Sequence, residues 1–183
     1  MKLAIVLIIV VVILIWIFTT YNRFVKLRNT VQEAFATMDV FLKKRFDLIP
    51  NLVESVKGYK AHESETLQKV VQARSALANT SGTEDQLAKE NILSGTLRSL
   101  FAVSEAYPDL KANTEFMRLM DELRGIEDEI ANSRKYYNAV VKKLNIAVES
   151  FPSNIIAAMF KIEKATMFEA PAESRENVKV SFE

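Results

Sequence analysis

Hydrophobic residues fill the chain from Leu3 to Phe18, LAIVLIIVVVILIWIF, and no charge, Gly or Pro interrupts them. A run of this length approaches the ~17–25 residues of a helix that crosses a bilayer, and Thr19, Thr20 and Tyr21 extend it by a turn at the interface. A secretory signal would show a shorter apolar core and then a small-residue cleavage site. Here Trp16, Ile17 and Phe18 lead straight into Thr19-Thr20-Tyr21-Asn22. The segment is expected to stay in place as an anchor.

Beyond the anchor the pattern turns periodic. Phe24, Val31, Met38, Arg45, Leu52 and Tyr59 recur every seven residues, with Leu27, Ala34, Phe41, Leu48 and Ser55 three positions after each. This is the seam of a coiled coil or a helical bundle. Neither Gly nor Pro occurs between Tyr21 and Leu48, so span and first bundle helix are expected to form one rod, about 68 Å from Leu3 to Leu48. Pro50 removes a backbone donor and disfavours the helical conformation at Ile49. Because the pattern resumes in phase at Leu52, a kink is expected rather than a break, with Asp47 placed to cap any helix that restarts.

Glu63 to Ala78 carries Leu67, Val70, Val71, Arg74 and Leu77 at helical spacing, as either a second helix or a continuation of the first. Asn79 to Thr83 is a loop, and Thr83 with Gln86 has the spacing of a capping box. A further helix is expected from about Glu84 to Ala106, with Leu87, Leu93, Leu97, Leu100 and Val103 on one side. Gly95 inside it suggests a close helix approach. The strictest period follows: Phe116, Leu123, Ile130, Tyr137, Leu144 and Phe151 fall at steps of seven, with Leu119, Ile126, Ser133, Val140 and Ala147 as the second series. That helix, starting near Asn113 or Thr114, spans ~52 Å and is expected to lie beside the first rod. Pro152 closes it, and Ser153 to Phe160 reads as a short last helix.

The expected fold is all-α: an N-terminal transmembrane helix continuous with an elongated antiparallel three- or four-helix bundle. The anchor takes residues 1–21, the bundle 22–168 and a C-terminal tail 169–183.

Charge narrows the partners. With 24 basic and 23 acidic residues the net charge is +1, so no whole-molecule field recruits nucleic acid. The aromatics are read as core and seam rather than base-stacking platforms. Absence of Cys excludes disulfides, thiolate metal sites and a lipidated cysteine. Lys2 precedes the apolar run, while Arg23, Lys26 and Arg28 follow it. The positive-inside rule thus puts the bundle in the cytoplasm.

Several phrases together resemble the LemA family. They are Tyr21-Asn22 with Leu27-Arg28-Asn29, then Arg45-Phe46-Asp47-Leu48-Ile49-Pro50-Asn51-Leu52-Val53-Glu54, Val56-Lys57-Gly58-Tyr59 and His62-Glu63. Ala106-Tyr107-Pro108-Asp109-Leu110-Lys111-Ala112-Asn113, Ala131 with Arg134, Tyr137-Asn138 and Phe151-Pro152 complete the set. The likeness covers nearly the whole chain. It implies a single-pass protein of the bacterial cell membrane with a very short outside N-terminus and an antiparallel helical domain. Some LemA-like proteins take part in building magnetosome membranes, which makes membrane organisation a lead. Phe35 departs from the pattern, standing where many relatives are expected to carry Trp.

No catalytic constellation is legible. His62 is the one histidine, which excludes both the zinc-protease helix and a di-iron bundle; its expected place is at a helix end. Phosphate loops and nucleophile elbows are missing too. No cofactor is expected. Arg45 is a charge on an apolar seam, and the acidic run Asp121, Glu122, Glu127, Asp128 and Glu129 is the natural source of a partner. On that reading Arg45→Met is expected to be near neutral for stability and Arg45→Ala more costly. Asp47, Pro50 and Asn51 place polar groups beside carbonyls freed at a kink. Tyr107, Pro108, Asp109 and Asn113 form a definite connection whose turn chemistry explains Pro108, Asp109 and the cap Asn113. Arg134, Tyr137 and Asn138 join the candidate interaction or structural residues through the resemblance.

The function expected is a membrane-anchored scaffold or adaptor that binds itself or another membrane protein through exposed helix faces, with the bilayer engaged through Leu3 to Phe18. A membrane-shaping homo-oligomer is the alternative, and a ligand receptor or enzyme a minor one.

Overall fold

The structure, a computed structural model, describes residues 1–55, 64–106 and 108–168. Six helices follow in order: α1 (Lys2–Ser55), α2 (Ser64–Ala78), α3 (Thr83–Ala106), α4 (Pro108–Ala112), α5 (Thr114–Glu149) and α6 (Ser153–Met159). No strand occurs among the described residues. The fold is an all-α bundle whose first helix carries the apolar N-terminal run. α1 passes through Pro50 without a break. The alternative of a second helix after α1 is realised as α2; the intervening residues 56–63, His62 among them, lie outside the described ones.

The chain divides into two compact units. Unit 1 joins Met1–Met38 to Ser133–Met167. Its core is the first half of the α1 seam, Phe24, Val31, Ala34 and Met38, with Tyr137, Val140, Val141, Leu144 and Ala147 of α5 and Ile156 and Ala157 of α6. Apolar residues from Leu3 to Ile15 are exposed along α1, which is long and apolar enough to cross a membrane. After α6 an extended segment returns along α5. The Asn145 side chain clasps its backbone, Nδ2 donating to the Ala165 carbonyl and Oδ1 accepting the Ala165 N–H, both at 2.9 Å.

Unit 2 holds Asp39–Asn132 with Phe168. Contacts within it set the helix directions. Arg45 of α1 meets Glu127 of α5 and Ser55 meets Asn113, so those two helices run antiparallel. Asp39 meets Gln86 and Arg45 meets Ser94, so α1 and α3 run the same way. With α2 and α3 packed together across the loop at 79–82, unit 2 is an up-down-up-down four-helix arrangement. Its core is Leu48, Ile49 and Leu52 from α1, Val70 and Ala73 from α2, Leu93, Leu97 and Leu100 from α3, Leu110, and Phe116, Leu119, Met120 and Leu123 from α5.

Three local expectations are corrected. Gly82 stands just before α3; its carbonyl accepts the Gln86 N–H, and a side chain would disfavour its φ of 91°. Thr83 is therefore already inside, and Gln86 turns its amide to Asp39 instead of back to a cap. Asp85 ties the preceding loop to the first turn, accepting the Ser81 N–H at 3.1 Å. Its carboxyl is held below the usual range by the bond from Lys89 and then by that N–H. A Cβ at Gly95 would meet nothing within 4 Å, so no close approach occurs there. Phe151 is 81% exposed, because α5 ends at Glu149 and the seven-residue pattern outlasts the helix that gave it meaning.

Pro50 survives inside α1 for a specific reason. Phe46, four residues earlier, loses the N–H its carbonyl would otherwise accept. Arg74 of α2 replaces it, with Nε donating to the Phe46 carbonyl at 3.0 Å and the guanidinium lying over the Phe46 ring, 3.9 Å from its centroid. A double-mutant cycle isolates this exchange. Arg74→Ala is expected to destabilise the native chain, and to do so by about 1 kcal/mol less in a Pro50→Ala background, where the alanine N–H restores the missing donor. Urea unfolding in detergent, followed by circular dichroism, reads the difference; equal losses in both backgrounds would show that the carbonyl does not depend on Arg74.

Candidate functional site

Arg45 sits where the seam demands an apolar residue, and it is wholly buried, at 0% exposure. A guanidinium without water needs acceptors; Arg45 finds them at both Nη atoms, while its buried Nε has none. Nη2 donates to Glu90 Oε2 of α3. Nη1 donates to Ser94 Oγ and to Glu127 Oε1 of α5, each at 2.6 Å. Ser94 passes the chain on, its hydroxyl donating to Glu127 Oε2 at 3.1 Å. Glu90 and Ser94 are buried as well. One cation therefore ties two carboxylates and a hydroxyl from three helices into a single cluster, buried at Glu90 and Ser94 and half-buried at Glu127. Of the acidic run on α5, Glu127 is the member that reaches it.

Glu90 and Ser94 were not singled out from the sequence, although the signal was present. Leu87, Glu90, Ser94 and Leu97 fall at alternating steps of three and four, the spacing of a seam with two polar residues in its middle. A charge on one seam and an opposite charge on another are complementary when the helices are parallel neighbours.

The other candidates fall in separate places. Asp47 is exposed and pairs along the helix with Lys43, whose Nζ lies 2.5 and 2.6 Å from its carboxylate oxygens, so it caps nothing at Pro50. Pro50 and Asn51 are exposed. Tyr107 lies outside the described residues, and Pro108 and Asp109 are described only as backbone of α4. Asn113 caps α5, its Oδ1 accepting the Phe116 N–H at 3.0 Å, while Nδ2 donates to the Ser55 carbonyl at 3.2 Å. It thereby joins the end of α1 to the start of α5. Arg134 and Asn138 are half-buried on α5 in unit 1. Between them Tyr137 is buried, with its hydroxyl donating to the Thr166 carbonyl at 2.9 Å and its ring edge against Phe35 at 5.9 Å. Burial pushes that phenol above its ordinary range. Phe35 fills this contact as an aromatic, with no indole donor in use.

Among the described residues no three His, Asp or Glu side chains converge as a metal site would need. A shallow groove in unit 2 is lined by Asp39, Lys43, Phe46, Leu77 and Gln86 and reaches Glu90, but the Glu90 carboxylate is already held by Arg45. The cluster has acceptors and a permanent cation, and its carboxylates point at that cation. Such geometry fixes helix register.

The family model described as LemA family matches residues 34–182. Protein LemA of Metamycoplasma hominis is 30% identical over 165 residues, covering 87% of this chain and 74% of that protein. Magnetosome proteins MamQ 2 and MamQ 1 of Paramagnetospirillum magneticum are each 26% identical over 179 residues, covering 83% of this chain and 66% of theirs. None of these names is that of an enzyme.

The buried cluster overturns one expectation. Arg45→Met would strand the buried Glu90 carboxylate and leave half-buried Glu127 without its cation, and is expected to cost roughly 3 kcal/mol instead of being near neutral. Combining it with Glu90→Leu and Glu127→Leu removes every stranded charge and is expected to bring stability back to within about 2 kcal/mol of the parent chain. Unfolding midpoints in urea compare the two; a parent-like midpoint for Arg45→Met alone would mean that the carboxylates are hydrated and the cluster is not a buried unit.

Proposed function

We propose that this chain, which belongs to the LemA family, is a non-catalytic membrane-anchored scaffold that presents its helix faces to itself or to another protein of the same bacterial cell membrane. The observation that carries this reading is α1: one unbroken helix, Lys2–Ser55, bears both the exposed apolar run and the Arg45 seam. A helix long and apolar enough to cross a membrane is thereby the same element that the charged cluster locks to α3 and α5. Presentation of helix faces at a membrane suits recognition. Substrate chemistry would need polar groups left available in a pocket, whereas the Glu90 and Glu127 carboxylates are engaged by Arg45.

Exposed apolar side chains mark the faces available for contact: Val40 on α1, Ile92 on α3, and Tyr136 and Ile146 on α5, each more than 50% exposed. Photo-crosslinkers at Val40, Ile92 and Tyr136, with one at exposed Lys142 for comparison, are expected to give defined protein adducts in intact membranes. Adducts of this chain with itself favour a homo-oligomer, and repeated adducts with one other membrane protein favour an adaptor. Yields no higher than from Lys142 would sink the scaffold reading. Membrane organisation through self-assembly is the second reading, supported by likeness to relatives named magnetosome proteins.

The bundle belongs on the cytoplasmic side in this reading, since Arg23, Lys26 and Arg28 follow the span and outnumber Lys2 and the α-amino group on its other side. The chain has no Cys, so Lys142→Cys reports alone. A membrane-impermeant maleimide is expected to label it only after cells are permeabilised; labelling in intact cells would reverse the orientation.

A further inference from the structure

α6 breaks the usual division of a surface helix into an apolar and a polar side. Ile156 and Ala157 are buried against unit 1, yet on its other faces Ile155 is 50% exposed and Met159 60%, with Phe151 and Phe160 exposed at either end. Apart from Ser153 and Asn154 in its first turn the helix is apolar on every face, and such a helix belongs against apolar surroundings.

Its neighbours say what that something is. The Phe160 ring lies 4.6 Å from that of Tyr21, and Phe160 lines one apolar groove together with Leu14, Ile15, Ile17, Phe18 and Tyr21. Those α1 residues belong to the spanning run and to the turn that ends it. Phe160 therefore stands at the depth where hydrocarbon gives way to headgroups, and Tyr21 beside it is the residue type that favours this boundary.

From this juxtaposition we infer that α6 and its flanking residues form a second membrane contact, lying in the interface of the bilayer against the exit of α1. The occupant is lipid because the exposed face is continuous with α1 residues that the span already places in lipid; a protein covering α6 would also have to displace lipid from Leu14 to Phe18. Immersion of an apolar face to about 5–10 Å is usual for such elements.

The backbone of α6 is prepared for poor solvation. Lys161, at φ 51°, ends the helix in a left-handed turn: the Ile162 N–H bonds to the Ala157 carbonyl and the Lys161 N–H to the Ala158 carbonyl, at 2.8 and 3.3 Å. That pairing satisfies carbonyls that a helix end leaves open. At the other end the Ser153 hydroxyl takes up a carbonyl of α5, that of Ala147, at 2.6 Å. Few backbone groups are left that would resist the interface. Lys161 itself is exposed next to Phe160, where an ammonium meets lipid phosphates.

This inference rests on α1 being a spanning helix, and one experiment separates the two claims. Nitroxides are attached to single cysteines at Ile155, Met159, Val10 and Lys142 in the full chain, reconstituted in phosphatidylcholine–phosphatidylglycerol vesicles. Collision with oxygen, which prefers lipid, is compared with collision with a water-soluble nickel chelate. The oxygen-to-nickel ratio at Ile155 and Met159 is expected to lie several-fold above that at Lys142 and toward that at Val10. A ratio equal to Lys142, with Val10 in lipid, overturns the α6 contact and leaves the anchor standing. Spin–spin broadening at Ile155 or Met159 that disappears on dilution with unlabelled chain overturns it in favour of a second copy. A watery Val10 overturns both claims together.

Discussion

An arginine that cannot reach water governs the packing of unit 2. Apolar seams specify that helices pack, but a heptad pattern tolerates a slip of seven residues with modest loss. Arg45 does not tolerate one. Its two carboxylates come from α3 and α5, and any register that moves either away leaves an uncompensated buried charge. Relative to apolar side chains of the same volume such a cluster supplies little net stability. On our reading it supplies discrimination, by making the wrong registers costly.

The same accounting extends to neutral groups. Pro50 orphans the Phe46 carbonyl, and Arg74 reaches across from α2 to accept that duty. Asn113 closes the free end of α5 and binds the Ser55 carbonyl of α1 with one side chain. In each case a local interruption of helical bonding is matched by a side chain from a different element, so helix-end chemistry doubles as tertiary attachment. Proline in this helix is thus coupled to the placement of α2 and is more than a local bend.

Much of this was legible in the residue pattern, and the misses have physical causes. Phe24, Val31, Met38, Arg45 and Leu52 are buried as their spacing implies, because a seven-residue period in a long uninterrupted helix leaves one face to bury. Arg45 stood out since a charge on that face contradicts its neighbours. Glu90 was passed over because α3 has leucines enough to define a face without it, so the polar residue read as an exception to the stripe instead of a member. Phe151 was carried along by the period past the end of α5, where Ser150 and Pro152 had already turned the chain. Gly95 suggested a close approach on propensity grounds, but a glycine on an exposed helix face has no neighbour to approach. The partner of Phe46 needed three dimensions, since nothing in the local pattern links Arg74 to a carbonyl 28 positions earlier.

On our reading α1 changes solvent along its own length, from lipid at Leu3 to protein at Phe24, over about one and a half turns. No single helix can satisfy both media at that boundary, because residues such as Trp16 and Ile17 are already half-covered while Phe18 is not. Another element must stand there. In unit 1 that element is α6, which offers Phe160 to Tyr21 and leaves Ile155 and Met159 outward. A polar helix at this position would set the Tyr21 end of the span against water. An apolar one continues the lipid boundary sideways, so the apolar composition of α6, anomalous for a soluble bundle, is what the depth of its neighbours on α1 requires.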